Sequence, residues 1–293
     1  MKKMTLLSLG IISFSALTLG ASAAFAEEEV TNPNPEAKSD ATVLFEADET
    51  GKPPVVPPTD GNDKDGEIDE TETDGNTGNG TASFNILVSN FRFNDRADDD
   101  GEGDIENFTK FKPIKLSGNG MKLWAKGTQL GVKFKDDEDT TIYKNVPNFV
   151  QVVDNRGKMS GWNLSVTATP FSGKNEADMT ITLQGAVLSL NNLNLKGPTG
   201  VAAPSILHQG VEIGTDSKTL LSADQSVAQE NKQGTGSWSL KFGNEETIAP
   251  NNYATLVPDT GVQLDIPASA QPQAGVEYKS ELTWILADGP VSE

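Results

Sequence analysis

From Thr81 to its end the chain never sustains a 3.6-residue apolar period. Its apolar residues come in short alternating runs, separated by clusters of Gly, Asn, Asp and Pro. Alternation puts every second side chain on one face of an extended backbone, so such runs read as strands. They are Phe84–Val88, Gln129–Phe134, Phe149–Val153, Trp162–Thr169, Met179–Leu190, Val211–Gly214, Ser237–Phe242, Val262–Ile266 and Val276–Leu286. Gly185 inside the fifth run is expected to mark a bulge, and a helical turn is placed around Leu220–Gln229. Many short strands at this spacing predict an all-β fold, an antiparallel β-sandwich or barrel-like domain over residues 81–293. The core must form without disulfides, because the chain has no cysteine.

Three of the runs share a tripeptide. Trp162-Asn163-Leu164, Trp238-Ser239-Leu240 and Trp284-Ile285-Leu286 account for three of the four tryptophans. Residues i and i+2 share a face, so each run sets Trp beside Leu, and the flanks keep the period. Trp162, Leu164 and Val166 oppose Asn163, Ser165 and Thr167; Trp238, Leu240 and Phe242 oppose Ser239, Lys241 and Gly243. Val276, Tyr278, Leu282, Trp284 and Leu286 form the longest such face, with Glu277, Lys279 and Glu281 opposite. One side of each strand is expected to be buried and the other wet. The indoles are either core residues or platforms for a sugar ring or partner, and the two readings can coexist because tryptophan is rarely buried completely.

The N-terminus reads as a secretory signal over residues 1–26. Lys2 and Lys3 precede an apolar run from Leu6 to Leu19, and Ala24-Phe25-Ala26 is an A-x-A site with cleavage expected after Ala26. Without cysteine there is no site for lipid acylation, and the tail Gly289-Pro290-Val291-Ser292-Glu293 carries no sorting-type signal. The expectation is export with non-covalent retention or free release. Residues 27–80 hold 16 acidic and 3 basic side chains with six prolines, and read as a disordered acidic Pro/Gly-rich arm. Within it, Ala41 to Phe45 is the one segment with strand character.

The formal charge of −19 argues against nucleic acid as a partner, since phosphate binding needs a basic stripe. His208 is the only histidine, so any Ser–His–Asp triad would have to use it. It sits in Leu207-His208-Gln209 and reads as a polar surface or edge residue. There is no G-x-S-x-G, H-E-x-x-H or P-loop motif, and neither a cofactor nor a metal site is expected. The acidic Asp98–Glu106 segment invites calcium, but an EF-hand frame started at Asp98 reaches Thr109 where a bidentate Glu belongs, so it reads as a solvated loop. Asp136-Asp137-Glu138-Asp139 reads as a charged turn. Asp154, Asn155, Arg156 and Gly157 are read as turn chemistry in a hairpin between two strands, with Arg156 also able to reach a carboxylate in the domain or on a peptide stem.

Two longer segments carry a resemblance. Val150-Gln151-Val152-Val153-Asp154-Asn155-Arg156-Gly157, followed by Gly161-Trp162-Asn163-Leu164-Ser165-Val166, resembles the first signature of the WxL domain of low-GC Gram-positive surface proteins. Val262-Gln263-Leu264-Asp265-Ile266-Pro267, then Tyr278 to Leu286 as YKSELTWIL, resembles the second. The resemblance covers roughly residues 81–293. It implies non-covalent attachment to the cell wall through peptidoglycan, together with other WxL proteins and a membrane-anchored interacting protein. The implied wall or partner motif is Trp162, Asn163, Leu164, Trp284, Ile285 and Leu286, supported by Asp154 to Gly157, Trp238, Leu240 and Tyr278. The acidic insertion Asn94–Thr109 and the lack of a large preceding adhesive module mark a small member. The resulting expectation is a secreted, non-enzymatic wall-attached protein. A glycan-active enzyme on wall polymer and an adhesin for host matrix proteins are the alternatives.

Overall fold

The computed structural model describes residues 66–69, 75–81, 83–94, 112–134, 137–224, 226–227, 231–243 and 258–289. The expected signal with Ala24 and Ala26, the segment Ala41–Phe45 and the acidic residues Asp98–Glu106 lie outside the described residues. In chain order the strands are β1 (Gly66–Asp69), β2 (Gly75–Thr77), β3 (Phe84–Ser89), β4 (Met121–Lys126), β5 (Thr128–Phe134) and β6 (Asp137–Val146). Then come β7 (Phe149–Asp154), β8 (Trp162–Ala168), β9 (Ser172–Lys174), β10 (Thr180–Thr182), β11 (Val187–Asn191) and β12 (Leu193–Lys196). The last are β13 (Ser205–Ile206), β14 (Gly210–Ile213), β15 (Lys218–Ala223), β16 (Gly236–Phe242), β17 (Pro258–Ile266) and β18 (Leu282–Asp288). A 3-10 turn, Ala268–Ala270, follows β17. The fold is mostly β, and the described pairings are antiparallel.

Three sheets carry the core. They run β12-β16-β7-β3-β2, β14-β11-β17-β4 and β13-β15-β8-β18, beside a sheet β1-β5-β6 and the ribbon β10-β9. One apolar cluster draws Val150, Val152, Leu240 and Phe242 from the first, Leu188, Leu190, Ile213 and Val262 from the second, and Trp162, Leu164, Val166 and Leu221 from the third. Chain corners stitch the sheets together. Asn192, in the left-handed region at φ 51°, separates β11 from β12, which belong to different sheets. The Gly243 N–H donates to its carbonyl. The central strand β7 is buried along its whole length, so the five-stranded sheet is covered on both faces.

Several expectations are corrected. Met179–Leu190 is not one bulged strand: Gly185 turns the chain at φ 76°, leaving β10 in the ribbon and β11 in a core sheet. Val276–Leu286 keeps its alternating exposure, yet the ladder begins only at Leu282, and Lys279 bridges to Ser172 instead. Leu220 to Ala223 are strand β15, so the helical turn starts later than expected: Ser226 and Val227 are helical, and Asp224 caps them. Asp137 to Asp139 open β6 rather than forming a turn, and Asp136 lies outside the described residues. The link from β7 to β8 is no hairpin, because the two strands join different sheets. Alternation identifies strands but not their partners, and a tight Asp-Asn-Arg-Gly turn suits a sheet-to-sheet crossing as well as a hairpin. Finally, β1 and β2 lie within residues 27–80 and pair with β5 and β3, so the sheets extend N-terminal to Thr81.

Candidate functional site

The two outer W-x-L tripeptides are neighbours. Strand β18 pairs with β8 over their whole lengths, setting Leu286 opposite Leu164, Trp284 opposite Val166 and Asp288 opposite Trp162. In β8 and β18 the alternation determines which side chains turn inward, whereas in β16 Ser239 and Lys241, expected on a wet face, are buried as well. Trp162 and Leu164 have no exposed surface, and the Trp162 indole N–H donates to the Gly234 carbonyl at 3.1 Å. Gly234 lies at φ 74°, and a Cβ there would meet Trp162 and Ala223, so the indole needs a glycine beneath it. Trp238 is 3% exposed, its N–H donating to the Thr235 carbonyl at 3.0 Å, and Leu240 is fully buried. Trp284 and Leu286 are half-buried against the same core, with Trp284 stacked on Phe242 at 6.4 Å between ring centres. In the folded domain Trp162 and Trp238 are packing residues. Of the motif, Ile285 is the member that faces water, at 52% exposure.

The Asp154–Gly157 turn closes a latch over this strand pair. Asp154 accepts the Arg156 backbone N–H at 3.3 Å, an Asx turn, and Gly157 completes it at φ 67°. The Asn155 N–H donates to the Ser83 carbonyl at 2.7 Å. The Arg156 guanidinium forks onto Asp154 at 2.8 and 3.0 Å and reaches Asp288 at 2.7 Å. Its carbon sits 3.5 Å from the centre of the Phe84 ring. Ser160 donates to the same Asp288 carboxylate at 2.6 Å, and Asn163 donates to the Gly289 carbonyl at 2.8 Å. Burial works against the Arg156 charge, but the hydrogen bonds with Asp154 and Asp288 outweigh it and raise its pKa above the ordinary value. The Ser160 hydroxyl, and then Arg156, hold the Asp288 carboxyl below its usual range. Arg156 is thus committed to two carboxylates of its own domain.

Tyr278 lies apart from the latch. It packs against Leu183, Leu264 and Ile266, and its hydroxyl accepts the Gln273 N–H at 2.9 Å. His208 is exposed, as its sequence setting predicts. Among the described residues no three His, Cys, Asp or Glu side chains are grouped to hold a metal.

One residue outside the predicted set is the exposed indole. Trp124, in β4, is 37% exposed, whereas Met121, Leu123 and Ala125 turn toward the core. The signal was present in Met121-Lys122-Leu123-Trp124-Ala125-Lys126, where period two groups Trp124 with the lysines and not with the apolar residues.

Residues 32–290 match the family described as WxL domain surface cell wall-binding. The chain belongs to that family. No curated protein and no solved structure matches it. The WxL domain indicates a location at the cell surface and a wall-binding role. The first signature runs through β7 and β8 and the second through β17 and β18, so the two WxL signatures together touch all three core sheets.

Proposed function

We propose that this WxL protein is a non-enzymatic attachment protein that holds peptidoglycan non-covalently. The observation that carries the proposal is the family match over residues 32–290. The W-x-L strands and the Arg156 latch serve as a rigid frame for the domain, and the burial of Trp162, Leu164, Trp238 and Leu240 supports a structural share in binding for them rather than direct contact. Sedimentation of the full chain with purified Gram-positive sacculi tests it. Recovery in the pellet without release of soluble muropeptides is expected. A protein left in the supernatant overturns wall attachment, and released muropeptides favour the glycan-active enzyme.

Membership of a surface complex with other WxL proteins is the finer part of the proposal. Its support is β18, the edge of its sheet among the described residues, which presents an unpaired backbone edge and the exposed Ile285 beside the second signature. Such an edge accepts one more strand by main-chain hydrogen bonding. A β18 edge that serves as this joint is expected to lose partner co-purification in Ile285→Lys without a change in melting. Unchanged co-purification removes it as the joint.

A further inference from the structure

The buried W-x-L tryptophans leave open which surface meets the wall. The sheet β14-β11-β17-β4 answers with its outer face. Its register sets Trp124 beside Gln263, Gln263 beside Ser189, and Ser189 beside Glu212. Leu123, Leu264, Leu188 and Ile213 alternate with these four and turn toward the core. The four side chains therefore form one row across the whole sheet on its solvent side. Neighbouring strands lie about 4.8 Å apart, so the row spans roughly 14 Å in three steps. Each step is close to the advance of one sugar along an extended β-1,4-linked glycan. In the adjoining row Lys122 pairs with Asp265 at 3.3 Å, and both are well exposed.

We propose that this row is the glycan-contacting surface of the domain. Trp124 stacks under the C–H face of one N-acetylhexosamine ring. Gln263, Ser189 and Glu212 hydrogen-bond the hydroxyl and acetamido groups of the rings that follow.

The composition of the face selects this occupant. A protein partner is held by a contiguous apolar centre with several anchors, whereas this row offers one indole and three polar side chains. An anionic polymer needs a basic stripe, whereas Lys122 and Lys126 are balanced here by Asp265 and Glu212. A sugar ring presents an apolar face edged by hydroxyls, which matches an indole followed by an amide, a hydroxyl and a carboxylate.

The inference rests on the wall-binding proposal, and one experiment separates the two. The full chain and its Trp124→Ala, Trp124→Phe and Gln263→Ala variants are sedimented with sacculi, both intact and stripped of phosphate-linked polymers. Trp124→Ala is expected to weaken sacculus binding about tenfold with unchanged melting, as loss of one stacked ring does. Trp124→Phe should recover most of the affinity and Gln263→Ala should lose part of it, with stripped and intact sacculi equivalent. A parent that does not sediment overturns wall attachment and this surface with it. A parent that sediments alongside an equally bound Trp124→Ala overturns the surface alone. Loss of binding on stripped sacculi overturns the glycan assignment in favour of the anionic polymer. A Trp124→Ala variant that misfolds leaves Gln263→Ala to decide, and full binding by that variant overturns the row.

Discussion

Arg156 shows how one side chain can tie together segments far apart in the chain. Its side chain is 7% exposed and that of Asp154 9%, while Asp288 is more than half exposed. Removing one partner of a buried pair strands the other charge, so Arg156→Ala is expected to cost about 3 kcal/mol, mostly through Asp154. Urea unfolding measures this, and a loss within error of zero would mean that the latch adds nothing to the fold. Arg156→Lys should also destabilise, because an ammonium cannot reproduce the fork. Asp288 adds a pH dependence whose sign follows from its depressed pKa. The unfolded chain binds its proton near pH ~3.9, the folded chain only at lower pH. The stabilisation is therefore complete above the unfolded value and is lost as pH falls through the folded one. The melting difference between the parent and Asp288→Asn should be constant near neutrality and shrink below about pH 4. A difference that persists at pH 2 would assign the effect to packing.

At the scale of the elements, the three W-x-L strands are alike in sequence and unequal in burial. Trp162 lies in a strand flanked on both sides, whereas Trp284 lies on an edge. Trp162→Ala is expected to cost about 4 kcal/mol, or to abolish folding, and Trp284→Ala roughly half as much. Equal losses by calorimetry would contradict this ranking. Alternation made β8 and β16 legible through the unbroken apolar rows Trp162, Leu164, Val166 and Trp238, Leu240, Phe242. Strands β3 and β7, which also bury Asn85, Ser89, Gln151 and Asp154, were legible only as short apolar runs. Alternation hid β9 and β13, which have three and two residues and too few side chains to show a period, and it ran β10 together with β11. It also hid β15, where Leu220 and Leu221 are both buried because the register shifts between Thr219 and Leu221. Sheet membership was not legible, since a period of two says which way a side chain points and nothing about its neighbours. The latch was legible in half: Asp154 and Arg156 are two residues apart, but Asp288 closes it from 132 positions beyond Arg156. Trp124 was visible in the pattern of its own strand and was overshadowed by the repeated tripeptide.

For the whole molecule, a net charge of −19 must approach a wall that is itself anionic. If neutral sugars make the contact, charge only opposes the approach. Raising salt from ~0.01 to ~0.15 M shortens the screening length from about 30 to about 8 Å. Sacculus binding should then hold or rise, and a steep fall would point to attraction between opposite charges. The pairing of β18 with β8 also bears on the order in which the chain folds. Ser160 and Asp288 are 128 positions apart, and Asn163 and Gly289 are 126 apart. Long-range pairing of this kind is slow to nucleate, because the intervening loop must close before any contact repays it. A chain made or threaded from its N-terminus presents β8 more than a hundred residues before its partner emerges. Until then the sheet has no fourth strand and Arg156 lacks its second carboxylate, so the domain stays unlocked in transit and becomes rigid only when its last strand arrives.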